Sequence, residues 1–248
     1  MTELKGTPSD EAPAIIAVGG SSAGVVFVSF SKKHPEGRDR EYIEWHTLDH
    51  CPEQHRIRTL VASLRLVSTP RCRRARGATS EPFGQVDHVM TYFFKGLDSM
   101  ADFVELSDGL LAAGRNPGPL PPVDRGLFAI SGRAASPRIK ISADVLPWWP
   151  VKGMYLLVEE GHQPPMPLIT VPGVGGAWWA DGLARTPHTT SDKTGVQITY
   201  LFLDRDPAET AEDLFQPLHA RWAEGSVAPL FAAPFHTITP YDWDHHLP

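Results

Sequence analysis

The segment from Glu41 to His55 holds the densest group of protonatable side chains in the chain. Its sequence, EYIEWHTLDHCPEQH, contains three of the eleven histidines together with acidic and aromatic residues. Histidine has an unperturbed pKa near neutrality, so it can exchange protons with a bound molecule or act as a metal ligand. Proton transfer or ligand binding is therefore the chemistry that this segment could carry.

The spacing of these residues predicts that several of them share one helical face. A helix expected to begin at Arg38 would carry His46, Asp49 and His50 on one side, because residues three and four apart are neighbours on a helix. Pro52 is expected to kink or end this helix, since its ring clashes with the carbonyl four residues earlier. The candidate group is therefore restricted to the residues before the proline.

Hydrophobic patterns predict the element order β-α-β-β-α-β, which is the ferredoxin-like unit. The elements expected in the first half are strands and helices at Val25–Phe30, 38–46, Ser63–Ser68, Val86–Phe94, Asp98–Ala113 and Gly126–Ser131. The second half repeats the order, but without a first helix, at Gly153–Val158, Gly176–Trp179, Val196–Leu203, Pro207–Trp222 and Phe235–Thr239. Met90–Phe94 matches Ile198–Phe202 at an offset of 108, whereas the first strands are about 129 residues apart. The second copy is thus expected to have lost the segment that carries the histidines.

These patterns divide the chain into four parts. Polar and small residues at the start predict a poorly ordered tail. The expected parts are a disordered tail at 1–22, a first ferredoxin-like unit with the candidate site at 23–133, a linker at 134–150 and a second, shortened unit at 151–248.

Composition narrows the classes of function. The formal net charge of −6 argues against a nucleic-acid partner, with the arginines of Arg71–Arg76 as a local exception whose role stays open. No apolar run reaches the roughly 20 residues of a membrane span, so no membrane partner is expected. Cys51 and Cys72 are too few for a disulfide framework or a cysteine-based zinc site, which favours a reducing cytoplasm.

The first helix carries the pattern W-H-x-x-x-H-x-P, formed by Trp45, His46, His50 and Pro52. In a βαββαβ unit this pattern resembles the dimeric α+β barrel superfamily and, within it, the EthD-like proteins. The resemblance implies an α+β fold in which two tandem ferredoxin-like units form an intramolecular dimeric α+β barrel. It also implies a range of activities, since the superfamily includes cofactor-free oxygenases, lactone isomerases, polyketide cyclases and dehydratases, and haem-handling enzymes.

One working pocket is expected, in the N-terminal half, for a small apolar or aromatic substrate. The expected chemistry is cofactor-independent general acid/base catalysis of lyase, isomerase, dehydratase or cyclase type. His50 is the first candidate for the catalytic group and His46 the second, with Asp49 and His88 as orienting or secondary groups. Strand alternation places His88 on the same face as two of the expected substrate-binding residues. These substrate-binding residues are Tyr92, Trp45, Tyr42 and Met90.

Other interpretations stay open. His46 and His50 could bind a metal ion with Asp49 or Glu53 as third ligand, or a histidine could bind haem. The cluster could also be a solvated helix face in a non-enzymatic small-molecule-binding protein. The favoured prediction has no cofactor and no metal, a small-molecule substrate as partner, and a possible homodimer.

Overall fold

The computed structural model of the protein describes residues 5–115 and 118–248, and within them it has nine strands and six α-helices. The strands are β1 Val25–Ser31, β2 Leu60–Val67, β3 Ala78–Thr79, β4 His88–Phe94, β5 Pro122–Ala135, β6 Gly153–Gly161, β7 Val174–Gly182, β8 Val196–Leu203 and β9 Val227–Ile238. The helices are α1 Pro13–Ile16, α2 Asp39–Trp45, α3 Cys51–Gln54, α4 Pro70–Arg74, α5 Ser99–Ala112 and α6 Pro207–Ala223. None of the helices in the described residues is long and apolar enough to cross a membrane.

Eight of the strands close into one antiparallel barrel. Their order is β2-β4-β1-β5-β7-β8-β6-β9, and β9 pairs back onto β2, with Arg65 opposite Ile238. At the other junction β5 pairs with β7, with Phe128 opposite Gly182. Closure leaves neither junction strand with an unpaired edge at these positions. The prediction of an α+β fold with two tandem ferredoxin-like units forming a barrel within one chain is confirmed.

The two halves have the same strand order but different helices. In each half the strands run second-third-first-fourth, as β2-β4-β1-β5 and as β7-β8-β6-β9. Between β1 and β2 lie α2 and α3, whereas a 3-10 turn at Leu168–Thr170 is the helical segment described between β6 and β7. The predicted loss of the first helix from the second copy is therefore confirmed.

The offset of 108 between the two copies is wrong by one residue. Phe93, Tyr200 and Phe202 belong to the core inside the barrel, whereas Tyr92 and Phe94 belong to the core outside it. An offset of 108 would align Phe94, which faces outward, with Phe202, which faces the interior. The two residues cannot be equivalent, because side chains alternate between the two faces along a strand. When the first residues of β1 and β6, Val25 and Gly153, are aligned, Phe93 opposite Val26 corresponds to Phe202 opposite Met154, which gives an offset of 109. With this offset Gln197 takes the position of His88.

The barrel interior is filled by side chains from both halves. Its largest fully buried side chains include Phe30, Phe93, Phe128, Trp178, Tyr200 and Phe235. The two halves are also joined by a buried hydrogen bond of 3.1 Å between Thr91 Oγ1 and Tyr200 Oη. On the outer face of the second half, Leu214 and Leu218 of α6 pack on Leu157. The two halves therefore share one interior core.

Two segments differ from their expected character. Residues 5–22 of the predicted disordered tail contain two helical turns, and hydrogen bonds of 2.9 Å join Ser9 N to Lys140 O and Ala143 N to the Asp10 carboxylate. Residues 1–4 lie outside the described residues. The predicted linker begins inside β5, which continues to Ala135, and it contains a 3-10 helix at Ala143–Trp148. The exact domain boundaries stay predictions.

The basic segment Arg71–Arg76 is largely the short helix α4, and three of its four arginines bind groups of this chain. Arg73 pairs with Asp87 at 2.5 Å, and Arg71 pairs with Glu209 at 3.3 Å. Arg76 donates to the carbonyls of Gly84 and Val86. These contacts are structural, because they tie the chain between β2 and β4 to its surroundings.

Phe93→Ala is expected to lower the free energy of unfolding by about 3–5 kcal/mol, because it removes a ring that is 0% exposed in the barrel interior. The matched control is Phe215→Ala on α6, whose residue is 49% exposed and should change stability by about 1 kcal/mol or less. Urea unfolding with linear extrapolation measures both changes. Equal losses in the two variants would contradict a filled barrel.

Candidate active site

The helical segment that begins with α2 continues through Pro52 because a π-helical turn lies just before the proline. After α2 the chain forms a π-helical turn at His46–His50, in which the Cys51 amide donates to the His46 carbonyl five residues earlier. Pro52 then falls in the first turn of α3, where an amide donor is not needed. The expectation that Pro52 ends the helix is wrong, since α3 follows directly after the wide turn.

A cavity of about 520 Å³ lies between this helical segment, α5 and the outer face of the first-half sheet. That volume suits a small organic ligand. Its apolar walls are Phe27, Met90, Met100, Phe103 and Val104. Its polar groups are Tyr42, His46, His50, Arg65, His88 and Tyr92, with Asp108, Arg125, His188 and Thr190 also in the lining.

His46 and His50 lie side by side in this lining, with their ring centroids 5.5 Å apart. His46 Nε2 is 3.2 Å from the hydroxyl of Tyr92, and His50 Nε2 is 2.6 Å from the side-chain amide of Gln54. In both rings the buried Nδ1 atom has no hydrogen-bond partner among the described residues. Each histidine is therefore held by one nitrogen, while its other nitrogen has no hydrogen-bond partner among the described residues.

Both of these histidines are neutral at pH 7. Burial lowers the pKa of His46 well below its ordinary value of 6.5, and the nearby guanidinium of Arg65 adds to this effect. Burial likewise lowers the pKa of His50 to about 4, with Asp49 opposing and Arg65 assisting the shift. A neutral imidazole has one lone pair and one N–H, so the pair has both the acceptors and the donors that proton transfer requires.

His88 joins a buried chain of three polar groups. The Asp39 carboxylate accepts a hydrogen bond of 2.8 Å from His88 Nε2, and Arg65 Nη2 donates to His88 Nδ1 at 3.2 Å. Burial lowers the pKa of His88 to about 4, in spite of the opposing effect of Asp39, and Arg65 contributes to the lowering. Because both ring nitrogens are in use, His88 is neutral and holds Arg65 in place without a free nitrogen for a ligand.

The residues expected to bind a substrate divide into two groups. Tyr42, Tyr92 and Met90 line the cavity. Burial raises the pKa of Tyr92 well above 10, so its hydroxyl stays protonated beside His46. Trp45 lies outside the lining, where its ring stacks on that of His50 at 4.7 Å and its Nε1 donates to a backbone carbonyl of Arg115. Trp45 therefore supports His50 from behind.

Asp49 does not share the face of the two histidines. Its carboxylate pairs with Arg115 at 2.9 Å, and Glu53 pairs with the same guanidinium at 3.1 Å. Neither carboxylate lines the cavity or bonds to a histidine. The expectation that Asp49 orients His46 or His50 is corrected by this geometry, because Gln54 and Tyr92 take that position.

The donor set does not fit a resident metal ion. The metal interpretation needs Asp49 or Glu53 beside His46 and His50, and both carboxylates bind Arg115 instead. No group of three or more His, Cys, Asp or Glu side chains that could hold a metal ion occurs in residues 5–115 and 118–248. No step of the chemistry is therefore routed through a metal.

Three residues of the site were missed from the sequence. Arg65 interrupts the apolar strand LVASLRLV, and this lone cation between leucines was the available signal. Gln54 lies beyond Pro52, where the predicted helix stopped. Asp39 is in the first turn of α2 and carries no signal of its own, because acidic residues are common at helix starts.

The free energy of unfolding is expected to fall as the pH is lowered from 6.5 to 4. The folded-state pKa of His88 is about 4 against an ordinary 6.5, so the unfolded chain binds more protons in this window and stability is lost. His88→Gln preserves a donor for Asp39 and an acceptor for Arg65 but binds no proton. It should flatten the dependence by about 1.4 kcal/mol per pH unit near pH 5 in urea titrations.

The exposed His162 provides the matched control for this experiment, as His162→Gln. An unchanged slope in His88→Gln, or an equal flattening in the control, would contradict a buried neutral His88.

Comparison with known proteins shows the fold. No family model matches the chain, and no curated protein matches it. Among solved structures, an anthrone oxidase-like protein aligns with a TM-score of 0.52 at 10% identity, covering 88% of this chain and 92% of the other. A chlorite dismutase-like protein aligns with a TM-score of 0.52 at 8% identity, covering 90% and 98%. A dye-decolorizing peroxidase from Bacteroides thetaiotaomicron VPI-5482 also gives 0.52 at 8% identity, covering 92% and 96%.

At these identities the similarity concerns the fold, and the more specific EthD-like relation stays a prediction. The closed sheet, the repeated strand order and these neighbours agree. The chain has the dimeric α+β barrel fold, built from two ferredoxin-like units in a single polypeptide.

Proposed function

We propose that the cavity is the active site of an enzyme that moves protons on a small apolar or aromatic molecule by histidine general acid/base catalysis. The reaction would be of lyase, isomerase, dehydratase or cyclase type and would need no cofactor. The observation that supports this is the pair His46 and His50, two neutral imidazoles in one cavity, each with Nδ1 unpartnered. Buried polar atoms without a partner are uncommon in proteins, and they are expected where a ligand supplies the partner.

Gln54 suits His50 for transfer in either direction. The side-chain amide can present its NH₂ group or, after a half-turn, its oxygen to His50 Nε2. With the oxygen presented, Nε2 carries the hydrogen and Nδ1 accepts a proton from the substrate. With the NH₂ group presented, Nδ1 carries the hydrogen and donates it. His46, which is hydrogen-bonded to Tyr92, is then the second acid/base group. It donates a proton to the ligand when His50 accepts one, and accepts a proton when His50 donates one.

Two alternatives come from the same fold and are kept as outcomes of experiment. In a non-enzymatic binding protein the cavity would hold a ligand without turnover. In a haem protein one of the free Nδ1 atoms would bind iron, and an absorption spectrum of the purified protein distinguishes this. The cytoplasmic location and the possible homodimer stay predictions, the latter checked by light scattering.

Loss of His50 is expected to slow proton exchange on a bound carbon acid by about 10²–10⁴-fold, which is the usual contribution of a general acid or base. The experiment incubates small ring-bearing ketones and lactones with the protein in D₂O and follows C–H deuteration by NMR. His50→Ala and His46→Ala are compared with His162→Ala, which removes an exposed histidine. An unchanged rate of C–H deuteration in both His50→Ala and His46→Ala would contradict the proposal.

The rate of this exchange should stay constant from pH 8 to about 5 and fall below that with a midpoint near 4. His50 has a pKa of about 4, so it remains a neutral base until it becomes protonated there. A pH profile of kcat/KM measures the midpoint in the free enzyme. An acid limb centred near 6.5, the ordinary pKa of histidine, would show that the catalytic group is not the buried His50.

A further inference from the structure

Arg65 is a buried cation that forms no ion pair with a carboxylate among the residues that the structure describes. The residue is 7% exposed, and its guanidinium lies in the cavity lining. It donates one hydrogen bond, from Nη2 to His88 Nδ1, and it lies 4.9 Å from the ring centroid of Tyr42. Its Nε atom is buried without a partner among the described residues. Removing a guanidinium from water is costly, and an uncompensated one calls for an anion.

Arg221 shows how the same chain buries an arginine for structure. It is 5% exposed and binds the Glu159 carboxylate through Nε and Nη2, at distances of 2.8–3.2 Å. It also donates to the carbonyls of Gln163 and Pro164. Arg65 has none of these contacts, although it is almost as buried. The difference indicates that the partner of Arg65 is a bound molecule.

The groups around Arg65 do not neutralise it. His46, His50 and His88 are uncharged at pH 7, since each has a lowered pKa to which Arg65 contributes. Asp39 is separated from the guanidinium by the ring of His88 and uses one oxygen for His88 and the His34 amide.

Asp108 and Arg125, which also line the cavity, bring one charge of each sign. The described lining therefore keeps the excess positive charge of Arg65.

Two contacts fix the direction of the guanidinium before any ligand arrives. His88 holds Nη2, and the ring of Tyr42 lies against the guanidinium group at cation–π distance. A guanidinium held in this way can receive a carboxylate through two parallel hydrogen bonds at little cost in side-chain entropy. The remaining walls are apolar, with Phe27, Phe103 and Met90 among them.

We propose that the cavity binds a ring-bearing organic acid whose carboxylate is received by Arg65 while its ring packs on the apolar walls. This places the reacting carbon beside His46 and His50. The proposal rests on the proposed function in one respect, because it takes the same cavity as the ligand site. It adds the chemical class of the ligand and a specificity-determining residue.

The test measures affinity for matched pairs of ligands that differ only in charge. The probes are 1-naphthoate, phenylacetate and cyclohexanecarboxylate, each with its carboxamide, titrated by calorimetry against the full chain at pH 7. For at least one pair, the wild-type protein should bind the carboxylate about 10–100-fold more tightly than the amide, as expected for charge-assisted hydrogen bonds.

Arg65→Met keeps the length and apolar stem of the side chain and removes the charge. The carboxylate-to-amide ratio should fall to about one, while the affinity for the amide changes by less than about threefold. The variant should also be at least as stable to heat as the wild type, because it removes a buried charge without breaking an ion pair. Arg65→Lys should keep part of the preference, because it keeps the charge but loses the planar guanidinium that can bind a carboxylate through two hydrogen bonds. The matched control is Arg56→Met, which removes an exposed arginine.

The proposal is overturned if no carboxylate of the panel binds the wild type more tightly than its amide. It is also overturned if Arg65→Met preserves the preference. If Arg65→Met is strongly destabilised, Arg65→Lys decides: a preference equal to that of the wild type would show that the guanidinium does not receive the carboxylate through two hydrogen bonds and would equally overturn the proposal. Failure of the acid/base function is separate, since it shows as unchanged deuteration in the histidine variants, whereas the carboxylate preference is measured without turnover.

Discussion

The pairing of β2 with β9 is the interaction on which the remaining structure depends. It closes the barrel within one chain, and it makes β2 an internal strand with β4 on one side and β9 on the other. Arg65 therefore stands opposite Met90 in one neighbour and Ile238 in the other. A strand held on both sides keeps its register, and a shift of one residue would turn the guanidinium into the apolar interior. The closure thus fixes the cation of the cavity.

A filled interior and an extra helical segment on the first half together explain where the candidate site lies. The interior takes the apolar side chains of both halves, which leaves only the outer faces of the sheet for a ligand. On the second half, α6 covers the outer face with aliphatic side chains. On the first half, the extra helical segment holds imidazoles above the sheet and leaves space beneath them. The second half still contributes, since His188 and Thr190 from the loop between β7 and β8 belong to the lining.

The sequence predicted the elements well because strand alternation and helical spacing are local signals. The duplicated strand order, the lost helix and three of the four cavity histidines all followed from such signals. β9 was expected only from Phe235 but begins at Val227, because a bulge near Pro229 accommodates a residue that usually breaks a strand. The offset of 108 rested on matching letters, which do not report which face of the sheet a residue occupies.

The parts of the site that could not be predicted depend on tertiary contacts. Whether Asp49 turns toward the histidines or toward Arg115 is decided by a guanidinium more than sixty residues away. Likewise, the unpaired state of Arg65 follows from what surrounds it after folding, and no local pattern contains that information. The role of Gln54 could not be predicted, because the helix continues beyond Pro52 only through one turn with a different backbone hydrogen-bond pattern.

That single turn has a consequence for how the protein can vary. A π turn at His46–His50 places more residues in one turn than an α-helix does, so its geometry is a property of chain length as well as of residue type. Deleting one residue there would restore regular α-helical winding, because the wide turn holds one residue more than an α turn. Pro52 would then meet an intact ladder of backbone hydrogen bonds, and its ring would clash with the carbonyl four residues earlier. Insertions and deletions, more than substitutions, are thus the changes to which this site is vulnerable.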